Sequence, residues 1–514
     1  MAETKREIER KYEATEKTAV PDLVGTGGVA AVRDEGVTEL DAVYYDTPDL
    51  RLAADALTLR RRTGGADEGW HLKVPVAPGI RDEIRAPLSE TLPDSLAGLL
   101  RSRVRHTPIV PVVRLRSSRD VRLLLNADGR PLAELSVDTV RAERLTGTGE
   151  ATWTEIEVEL ADGPDGTARG DGADEALLDA VGKRFKKAGI RPSAAPSKLA
   201  RALEETGMPV PRRAGGGGAP GSAGHAVLAY VREQADAVVA FDPAVRRELP
   251  DAVHQMRVAC RRLRSTFKTY RKVLDRAVTD RLGEELKWLA GELGAARDEE
   301  VLTARLTARL DELPSTLRLG RVRARLRARA VRRAEDARRA VLAALDSPRH
   351  LALLDALDAL LADPPLRDAA AHDAPEVLAR AVRKDFDRLA GRVEHALALA
   401  PGHERDLALH AARKAAKRTR YAADAARPVL GKPAKRLAKR VKAVQSLLGE
   451  HQDSVVARAA LREIAGQAHT AGETTFTWGL LYGREEAAAA AGERELPGLW
   501  ERASAPRIRA SLTR

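Results

Sequence analysis

The stretch VHQMRVACRRLR, residues 253–264, places a histidine at the head of a row of cations. The row steps by three, four and three residues and then continues, a spacing that keeps side chains on one side of an α-helix. This spacing predicts an amphipathic helix with a cationic face, which suits a long anion rich in oxygen acceptors. The row comprises His254, Arg257, Arg261, Arg264 and Lys268.

A second row of the same kind lies in LHAARKAAKRTR, residues 409–420, and His410 stands 156 residues after His254. Each row is followed by a matching segment, KWLAGELGAARD at 287–298 and KAVQSLLGEHQD at 442–453, with an offset of 155 residues. A nearly constant offset across several segments predicts two copies of one helical unit. The second row comprises His410, Arg413, Lys417 and Arg420, and a third, on the following helix, comprises Lys435, Lys439 and Lys442.

The charge around these rows favours binding of a polyanion over simple solvation of the helices. Seven cations and no acid lie between Arg257 and Lys272, and the same is true between Ala425 and Gly449. Because like charges repel at helical spacing, such runs persist most readily where an anion neutralises them. The arginines at 318–333 lie all round their helix, so most of them are predicted to face solvent.

Three single residues have competing interpretations. His254 and His410 each contact either a phosphate or a structural hydrogen-bond partner, and the two alternatives are equally well supported. Metal binding by them is disfavoured because neither has a second ligand at the usual spacing. Cys260 lies next to basic residues, but no base or triad pattern accompanies it, so it is predicted to be a buried helix residue.

The totals bound the class of protein. A chain of 514 residues holds roughly three domains of about 150 residues, and its formal charge of +12 points to anionic partners. Aromatic residues make up only 3%, which disfavours nucleic acid because single strands are held by stacking bases on aromatic rings. One cysteine, a charged amino terminus and no apolar run of about 20 residues predict a cytoplasmic protein without disulfides or membrane spans.

Composition divides the chain at GMPVPRRAGGGGAPGSAG, residues 207–224, which is predicted to be a flexible linker that buries nothing. Residues 1–206 alternate mostly with period two, which predicts an antiparallel β domain. Residues 225–514 have the periodicity of amphipathic helices, so the chain is expected to be an α+β multidomain protein. The two helical copies are predicted at residues 225–363 and 374–514.

The β domain is predicted to contain at least seven strands. Gly, Asp and Pro residues separate them, and side chains along each strand point alternately to the two faces of the sheet. The candidates are EIERKYE (7–13), LTLRRRT (57–63), WHLKVPV (70–76), RDEIRAP (81–87), VRLLLN (121–126), LAELSVDTV (132–140) and WTEIEVEL (153–160).

Charged residues within these strands share one parity. Glu7, Glu9 and Lys11 point to one face of the first strand, and acids repeat on the last strand at positions 155, 157 and 159. Basic rows lie on the strands between them. Solvation explains each charged face alone, but the sorting of signs favours a barrel with a polar channel. Carboxylates there suit Mg²⁺ or Mn²⁺, and arginines and lysines suit phosphate oxygens.

Five motifs in one order resemble the signature of the CYTH, or triphosphate tunnel metalloenzyme, family. They are Glu7-x-Glu9-x-Lys11, the stretch YYDTPD at 44–49, Arg60-x-Arg62, Trp70-x-x-Lys73 and Glu155-x-Glu157. The resemblance covers roughly residues 3–204. It implies an eight-stranded antiparallel tunnel that hydrolyses triphosphates with a divalent metal. Known members act on inorganic triphosphate, on thiamine triphosphate or, as class IV adenylyl cyclases, on ATP.

The resemblance also implies roles for particular residues. The implied metal ligands are Glu7, Glu9, Glu155 and Glu157, with Asp138 as a further acidic candidate. The implied triphosphate-binding residues are Lys11, Arg60, Arg62, Lys73, Arg85, Arg114, Arg116 and Lys198, the last on a helix that closes the tunnel. The implied catalytic residues are Glu7, Glu9, Lys11 and Lys73. Tyr45 and Trp70 are expected in the core, and Arg10 and Arg61 in solvent.

The helical half resembles the CHAD domain, a histidine-rich helical module that often follows CYTH. The matching stretches are the two cationic rows with their LGAARD and LGEHQD segments. The resemblance implies two pseudo-symmetric four-helix units that bind inorganic polyphosphate. Lys417 stands where the first copy has Arg261, and a lysine lacks the fork of an arginine, so it is expected to grip phosphate less rigidly.

Together the resemblances predict a metal-dependent tripolyphosphatase joined to a polyphosphate-binding module. No base-recognition pocket is visible in the sequence, so inorganic triphosphate and polyphosphate are the expected partners. Thiamine triphosphatase or adenylyl cyclase activity is the first alternative. A non-catalytic protein that binds polyphosphate or localises to polyphosphate granules is the second, and the acidic rows disfavour it. Nucleic-acid binding through the cationic rows is the third.

Overall fold

The computed structural model describes residues 3–65, 67–161, 172–211 and 217–506. The chain forms two compact units, Met1–Arg213 and Ala214–Arg514. The first contains a β-barrel with short helices and the second is helical, so the predicted fold class is confirmed. Within the described ranges, no helix is both long enough and apolar enough to cross a membrane.

Eight strands of the first unit close into an antiparallel barrel. Their order around the barrel is β1-β5-β4-β3-β2-β6-β7-β8, so the first and last strands pair with each other. This closure leaves every strand with two neighbours and puts one parity of side chains inside. The strands are β1 Glu3–Ala14, β2 Ala31–Asp46, β3 Thr58–Thr63, β4 Gly69–Ala77, β5 Ile80–Ala86, β6 Val110–Leu125, β7 Pro131–Arg144 and β8 Glu150–Leu160.

The barrel carries much of its apolar core on the outside, under its helices. Ile8 and Ile156 alternate with inward charged residues, and they pack under Val181 and Phe185 of a helix. A second helix covers Leu59, Leu72 and Ile84 in the same way. Burying these outer faces stabilises the barrel without filling its interior. The helices of this unit are α1 Arg51–Ala54, α2 Asp94–Val104, α3 Gly172–Lys187 and α4 Lys198–Glu205.

Helix α4 closes one end of the interior. Tyr44, Leu115 and Val140 share the parity of the inward charged residues on their strands, and at this end the interior becomes apolar. They belong to one buried cluster with Leu199 and Leu203 of α4. The apolar face of α4 therefore holds the first residue of that helix, Lys198, beside the charged interior.

Strand β2 was not among the predicted strands, and β6 is much longer than the predicted 121–126. The first half of β2 is exposed on both faces, so its sequence AVRDEGV shows no alternation of apolar and polar residues. It is a strand because it pairs with β6 along almost its whole length. A register shift at Asp34 and Gly36, where Gly36 has φ 83°, accommodates the local irregularity.

The second unit consists of long helices in two successive sets. The first set runs from α5 to α9 and the second from α10 to α13, and Ser347 alone separates α8 from α9. The expected arrangement as two four-helix bundles stays a prediction. The helices are α5 Ala223–Arg246, α6 Ala252–Thr269, α7 Arg276–Asp311, α8 Val322–Asp346, α9 Pro348–Ala362, α10 Ala374–Ala398, α11 His403–Leu430, α12 Lys432–Thr470 and α13 Phe476–Ser504.

One apolar core joins the two helical sets. Met256 and Leu263 of α6 lie in the same buried cluster as Phe386 of α10 and Leu409 of α11. Cys260 is part of this cluster and fully buried, as predicted, and burial raises the pKa of its thiol to about 12. The copies are therefore halves of one packed body.

The structure corrects the predicted linker at 207–224. Met208 and Val210 pack against the core of the barrel. At the other end, Ser222 caps α5, and the amide of Ala223 donates a 2.9 Å hydrogen bond to the carbonyl of His372. Residues 212–216 lie outside the described residues. The linker predicted from the glycine-rich composition was therefore too long at both ends.

Candidate functional site

The barrel interior is charged because the inward parity of nearly every strand carries acids or bases. Glu7 and Glu9 are buried and, with Lys11, line the cavity, whereas Ile8 and Tyr12, of the opposite parity, point outward. The cavity has a volume of about 170 Å³. Of the predicted triphosphate-binding residues, those that line it are Lys11, Arg60, Arg62, Lys73, Arg85 and Lys198.

Lys198 is surrounded by carboxylates. Its ammonium lies 2.9 Å from Asp138, 2.8 Å from Glu155 and 2.6 Å from Glu157. Burial alone would lower the pKa of Lys198, but the three carboxylates raise it well above its usual range. Ser197 caps α4 by accepting a hydrogen bond from the amide of Ala200, so the helix start that carries Lys198 is anchored.

The acids of β1 face a second group of cations. Lys73 lies 2.5 Å from Glu7, and Lys11 contacts both Glu9 and Glu157. Burial raises the pKa of Glu7 to about 7, even though Lys73 opposes the shift. Burial favours the protonated form of Glu9, but Lys11, Lys73 and Arg81 together outweigh it and lower the pKa of Glu9. The five predicted metal ligands therefore form two neighbouring groups, Glu7 with Glu9 on β1, and Asp138 with Glu155 and Glu157 on β7 and β8.

Glu83 is a fully buried counter-ion for three of the cations predicted to bind the triphosphate, and the sequence analysis assigns it no role. Arg85 lies 2.5 Å from it, Arg60 3.3 Å and Lys73 3.7 Å. His71 Nδ1 is 2.9 Å away. Burial favours protonation of Glu83, but Lys73, His71 and Arg60 outweigh it and hold the pKa of Glu83 well below its usual range. Its shared parity with Arg81 and Arg85 was the available signal.

The prediction that Arg114 and Arg116 face the triphosphate is wrong. Both lie on the outer face of β6, where Arg114 Nε is 2.9 Å from Asp41 and Arg116 is 3.7 Å from the same carboxylate. Their neighbours Val113 and Leu115 have the inward parity instead. Parity shows which residues share a face, but the sequence did not show which face of β6 is inside.

Arg119 is the residue of β6 that enters the cavity. Its guanidinium lies 2.7 Å from Asp138 and 2.9 Å from Glu157, in a forked contact with both β7 and β8. Burial would lower its pKa, but these two carboxylates raise it. The pairing register of β6 and β7 is the signal that reveals this residue, because Arg119 lies directly opposite Asp138.

Other lining residues also escaped prediction. Asp67, on the turn between β3 and β4, forms an ion pair with Arg62 inside the cavity. The pKa of Arg62 falls to about 9, first because of burial and then because Arg60 and Arg119 lie nearby. The remaining unpredicted lining side chains with polar groups are Lys5, Tyr44, Thr58, Arg81, Glu134, Glu159 and Ser197.

The expected roles of four neighbouring residues have mixed outcomes. Trp70 is buried, and its ring centroid lies 4.9 Å from that of Tyr45, as expected for core residues. Arg61 and Arg10 were expected in solvent, but each is partly buried and bonded. Arg61 donates to the carbonyl of Ser89 at 2.9 Å, and Arg10 pairs with Asp179 at 2.6 Å. Outward charges on a barrel covered by helices and loops still find partners.

In the second unit the two cationic rows meet in one groove. Helix α6 packs against α11, and both rows open into a cavity of about 540 Å³. The predicted residues that line it are His254, Arg257, Arg261, His410, Arg413, Lys417 and Arg420. Helices α7 and α12 complete the groove with Arg297, Asp298, Arg305, Gln445, Gln452 and Asp453.

The duplicated Gly and Asp have a structural explanation in this groove. Arg257 lies against α7, so that a Cβ added at Gly294 would stand 3.0 Å from its guanidinium. Asp298, one turn further, pairs with the same guanidinium at 2.7 Å. In the second copy a Cβ added at Gly449 would stand 3.5 Å from the guanidinium of Arg413, which is 3.8 Å from Asp453. The repeat thus seats one arginine per copy.

Five predicted polyphosphate-binding residues do not line the groove. Arg264 does not line the groove and instead donates a 3.0 Å hydrogen bond to the carbonyl of Gly283 on α7. Lys268 is exposed beyond it. Lys435, Lys439 and Lys442 are exposed along α12, nearer to the start of that helix than the groove residues Gln445 and Asp453. The structure therefore does not gather these five with the other seven, and their binding role stays a prediction.

Comparison with known proteins identifies both units. The CYTH domain family matches residues 5–181, and the CHAD domain family matches residues 229–462. Two uncharacterized proteins of Mycobacterium tuberculosis are each 41% identical to the chain over 492 residues, which cover 93% of this chain and 92% of the relative. The chain belongs to the proteins that join a CYTH domain to a CHAD domain.

Solved structures show partial likenesses. PptA from Streptomyces chartreusis is 26% identical with a TM-score of 0.47, and the match covers 55% of this chain and 99% of PptA. HpAC1 from Hippeastrum, described as an adenylyl cyclase candidate with a dominant triphosphatase activity, is 17% identical with a TM-score of 0.24. That match covers 41% of this chain and 100% of HpAC1.

The CYTH domain places the first unit among the triphosphate tunnel enzymes, which carry out phosphoryl-transfer or hydrolytic chemistry with divalent metals. The acids of this tunnel fit such an ion. Asp138, Glu155 and Glu157 each offer an oxygen within 4.8 Å of the others, and carboxylates are the hard ligands that Mg²⁺ and Mn²⁺ prefer. The ammonium of Lys198 among them shows that these donors already stabilise a positive charge.

The CHAD domain contains another group of ligand type, Asp406, His451 and Glu493. His451 Nε2 lies 3.3 Å from Asp406 and 3.2 Å from Glu493. Arg458 compensates Asp406 at 3.3 Å, and Arg405 compensates Glu493 at 3.0 Å. Because each carboxylate already has an arginine, we interpret the group as an ion network that ties α11, α12 and α13 together.

Proposed function

We propose that the CYTH tunnel hydrolyses inorganic triphosphate with Mg²⁺ or Mn²⁺ and that the CHAD groove binds inorganic polyphosphate. One observation carries the first half of the proposal, namely that acids and bases meet on the inner face of a closed barrel. A site that only captured anions would gain nothing from Glu7, Glu9 and Glu157 lining it, or from Asp138 and Glu155, which do not line the cavity but lie against Lys198.

The size and lining of the tunnel support an inorganic substrate. Its volume of about 170 Å³ is below the roughly 300–1,000 Å³ of pockets for drug-sized ligands. Its lining is polar almost throughout, and Tyr44 is the aromatic ring among the described lining residues. A nucleobase or a thiazolium ring needs apolar walls or stacking partners, so a bare chain of phosphates fits this interior better.

The proposed chemistry divides the work between two groups of residues. Phosphoryl transfer depends mainly on positioning and on neutralising the charge of the phosphate oxygens. Arg60, Arg62 and Arg119 provide forked donors for these oxygens, and Lys73 provides a point charge. The carboxylates of the two acidic groups would hold the divalent metal, which supplies Lewis-acid polarisation of the phosphoryl group.

In the proposed reaction, water attacks the terminal phosphorus and the bridging P–O bond breaks, releasing orthophosphate and pyrophosphate. The ion pairs that now occupy the tunnel must exchange partners for this to happen. Lys73 would leave Glu7, and Lys198 would leave the three carboxylates, each turning to phosphate oxygens. Each lysine would exchange one anionic partner for another, so neither ammonium would be left buried and unpaired.

The groove supports the second half of the proposal. Its cations come from both copies, and its few carboxylates are engaged by arginines at 2.7 Å and 3.8 Å. Tyr421 is the aromatic residue among the described residues of its lining, and the ring already lies 4.8 Å from the guanidinium of Arg420. Such a surface recognises phosphate oxygens and offers little for bases.

Phosphate release tests the enzymatic half. Purified protein should release phosphate from tripolyphosphate with Mg²⁺ or Mn²⁺, and a chelator should stop the reaction. ATP and thiamine triphosphate are assayed in parallel, and faster turnover of either would replace the proposed substrate. Glu7→Gln with Glu9→Gln should abolish hydrolysis and leave polyphosphate binding intact, so retained turnover would remove the proposed metal site.

Competition tests the binding half. Long-chain polyphosphate should displace a labelled polyphosphate from the protein more effectively than DNA of equal charge, across a series of salt concentrations. A preference for DNA at moderate salt would overturn the proposal. Arg261→Gln is the matched variant for this assay, because it removes a groove cation without touching the tunnel.

A further inference from the structure

The two copies of the cationic row differ at one position of the groove. The first copy has Arg261 and the second has Lys417 at the corresponding place, and both side chains line the cavity. An arginine stays protonated under all ordinary conditions, whereas a lysine can lose its proton when it is desolvated among like charges. The lysine therefore gives the second copy a cation that can become neutral by losing its proton.

Lys417 is partly desolvated and lies among like charges. Arg413 of its own helix and Arg257 and Arg261 of α6 all oppose its charge. From α12 it faces Asp453, the carboxylate that pairs with Arg413 at 3.8 Å. The charge of Lys417 also lowers the pKa of His410, which lies about two turns earlier on the same helix.

The carboxylates near Lys417 are committed to other residues. Asp298 of α7 pairs with Arg257 at 2.7 Å, and Asp453 lies nearest to Arg413. Among the described residues, no carboxylate lies within 4.0 Å of the Lys417 ammonium. Lys417 is thus a partly buried amine in a ring of arginines without an acid of its own.

We infer that the groove takes up a proton at Lys417 Nζ when polyphosphate binds, so that its affinity for polyphosphate strengthens as the pH falls through neutrality. The inference rests on the proposed binding of polyphosphate. The proton comes from solvent, and its uptake turns a neutral amine into an ammonium ion that contacts phosphate oxygens.

The direction of the effect follows from two environments of one amine. In the free groove, burial and then Arg413, Arg261 and Arg257 lower the pKa of Lys417 to about 7. Phosphate oxygens in the bound groove oppose those charges and raise the pKa again. Binding therefore adds a proton between the two pKa values, and affinity falls as the pH rises above neutrality.

Other groups in the groove titrate elsewhere. Burial lowers the pKa of His254 and of His410 below the usual value, so their protonation belongs to more acidic conditions. Burial and Arg257 lower the pKa of Arg261, which still stays far above neutrality because it is a guanidinium. Substituting Lys417 alone therefore isolates its proton from any that these histidines take up.

Calorimetry measures the proton directly. Long-chain polyphosphate is titrated into the full chain at pH 7.5 in buffers of different ionisation enthalpy, which reports the number of protons taken up per site. We expect about 0.8 proton for the native chain, given an amine whose pKa is about 7 in the free groove. Lys417→Arg should take up none at this position, and Lys384→Arg, an exposed lysine of α10, is the matched control.

Affinity gives a second readout. From pH 6.5 to pH 8.5 the native chain should lose about tenfold more affinity than Lys417→Arg, since the arginine keeps its charge. Lys417→Met should bind like the native chain at pH 8.5 and lack the extra affinity that the native chain gains on acidification, which covers the case in which the arginine does not fit. The terminal phosphates of the ligand titrate identically in all three proteins and cancel in the comparison.

The outcomes are distinguishable. Equal proton uptake by the native chain and both variants, with polyphosphate still bound, would overturn the inference and leave the proposed function standing. Failure of every protein to bind polyphosphate at any pH would overturn the proposed function and the inference together.

Discussion

The tunnel and the groove, the two proposed phosphate sites of this chain, differ in how their charges are balanced. Among the described residues, nine lysines and arginines and six carboxylates line the tunnel cavity, whereas seven cations and two carboxylates line the groove. In the tunnel Lys198 alone contacts three acids, while Lys417 in the groove has arginines for neighbours. One site is neutralised before its ligand arrives, and the other is not.

This difference matches what each site is proposed to do. A catalytic site must hold reactive groups in place before the substrate enters, and buried ion pairs among Glu83, Arg60 and Lys73 provide that rigidity. A binding groove has no reaction to position. A polyanion that neutralises its cations relieves the repulsion among them, and this relief favours binding. Added salt should therefore weaken the groove more than the tunnel, because the groove is more open to solvent and depends on uncompensated charge.

The largest expected effect separates the inner and outer faces of β6. Arg119→Gln should lower the rate of triphosphate hydrolysis by roughly a hundred- to thousandfold, the usual cost of removing one preorganised electrostatic contact. It also leaves Asp138 and Glu157 without their forked partner. Arg114→Gln on the outer face is the matched control and should stay near the native rate. Equal losses of rate in both variants would show that the inward-facing side chains of the barrel do not bind the triphosphate.

A smaller effect tests where the groove ends. Arg420→Gln should weaken polyphosphate binding by about tenfold, because a charge-assisted hydrogen bond is worth about 1.5–3 kcal/mol. Lys439→Gln lies outside the groove on the exposed face of α12 and should change affinity by about twofold at most, as surface charges do. Equilibrium binding of one long polyphosphate preparation measures both. Comparable losses would mean that the ligand follows α12 beyond the groove.

The smallest effect concerns the seats of the two arginines. Gly449→Ala should stabilise the protein by about 0.5–1 kcal/mol, since Ala is the better residue inside a helix and Arg413 lies 3.5 Å away. Gly294→Ala should lose that gain, because its Cβ would stand 3.0 Å from Arg257. Chemical denaturation of the two variants measures the difference. Equal stabilisation would show that Arg257 moves freely and that the copies seat their arginines alike.

Sequence reasoning succeeded where a local pattern decides the outcome. Glu7, Glu9 and Lys11 had to share a face because side chains alternate along any strand. The rows headed by His254 and His410 had to share helix faces for the same kind of reason. It failed at Arg114, Arg116 and Arg119, since alternation sorts residues into two faces without saying which one is inside.

The amino-acid sequence is enough to predict the two kinds of unit, the sorting of charges within each strand and helix, and the duplication of the cationic rows. These features follow from backbone periodicity or from a repeat visible along the chain. Folding in three dimensions is what brings Arg119 into the barrel, Lys198 among three acids, and the two rows into one groove. Those outcomes depend on closure of the barrel and on the packing of α6 against α11, which join residues far apart in the chain.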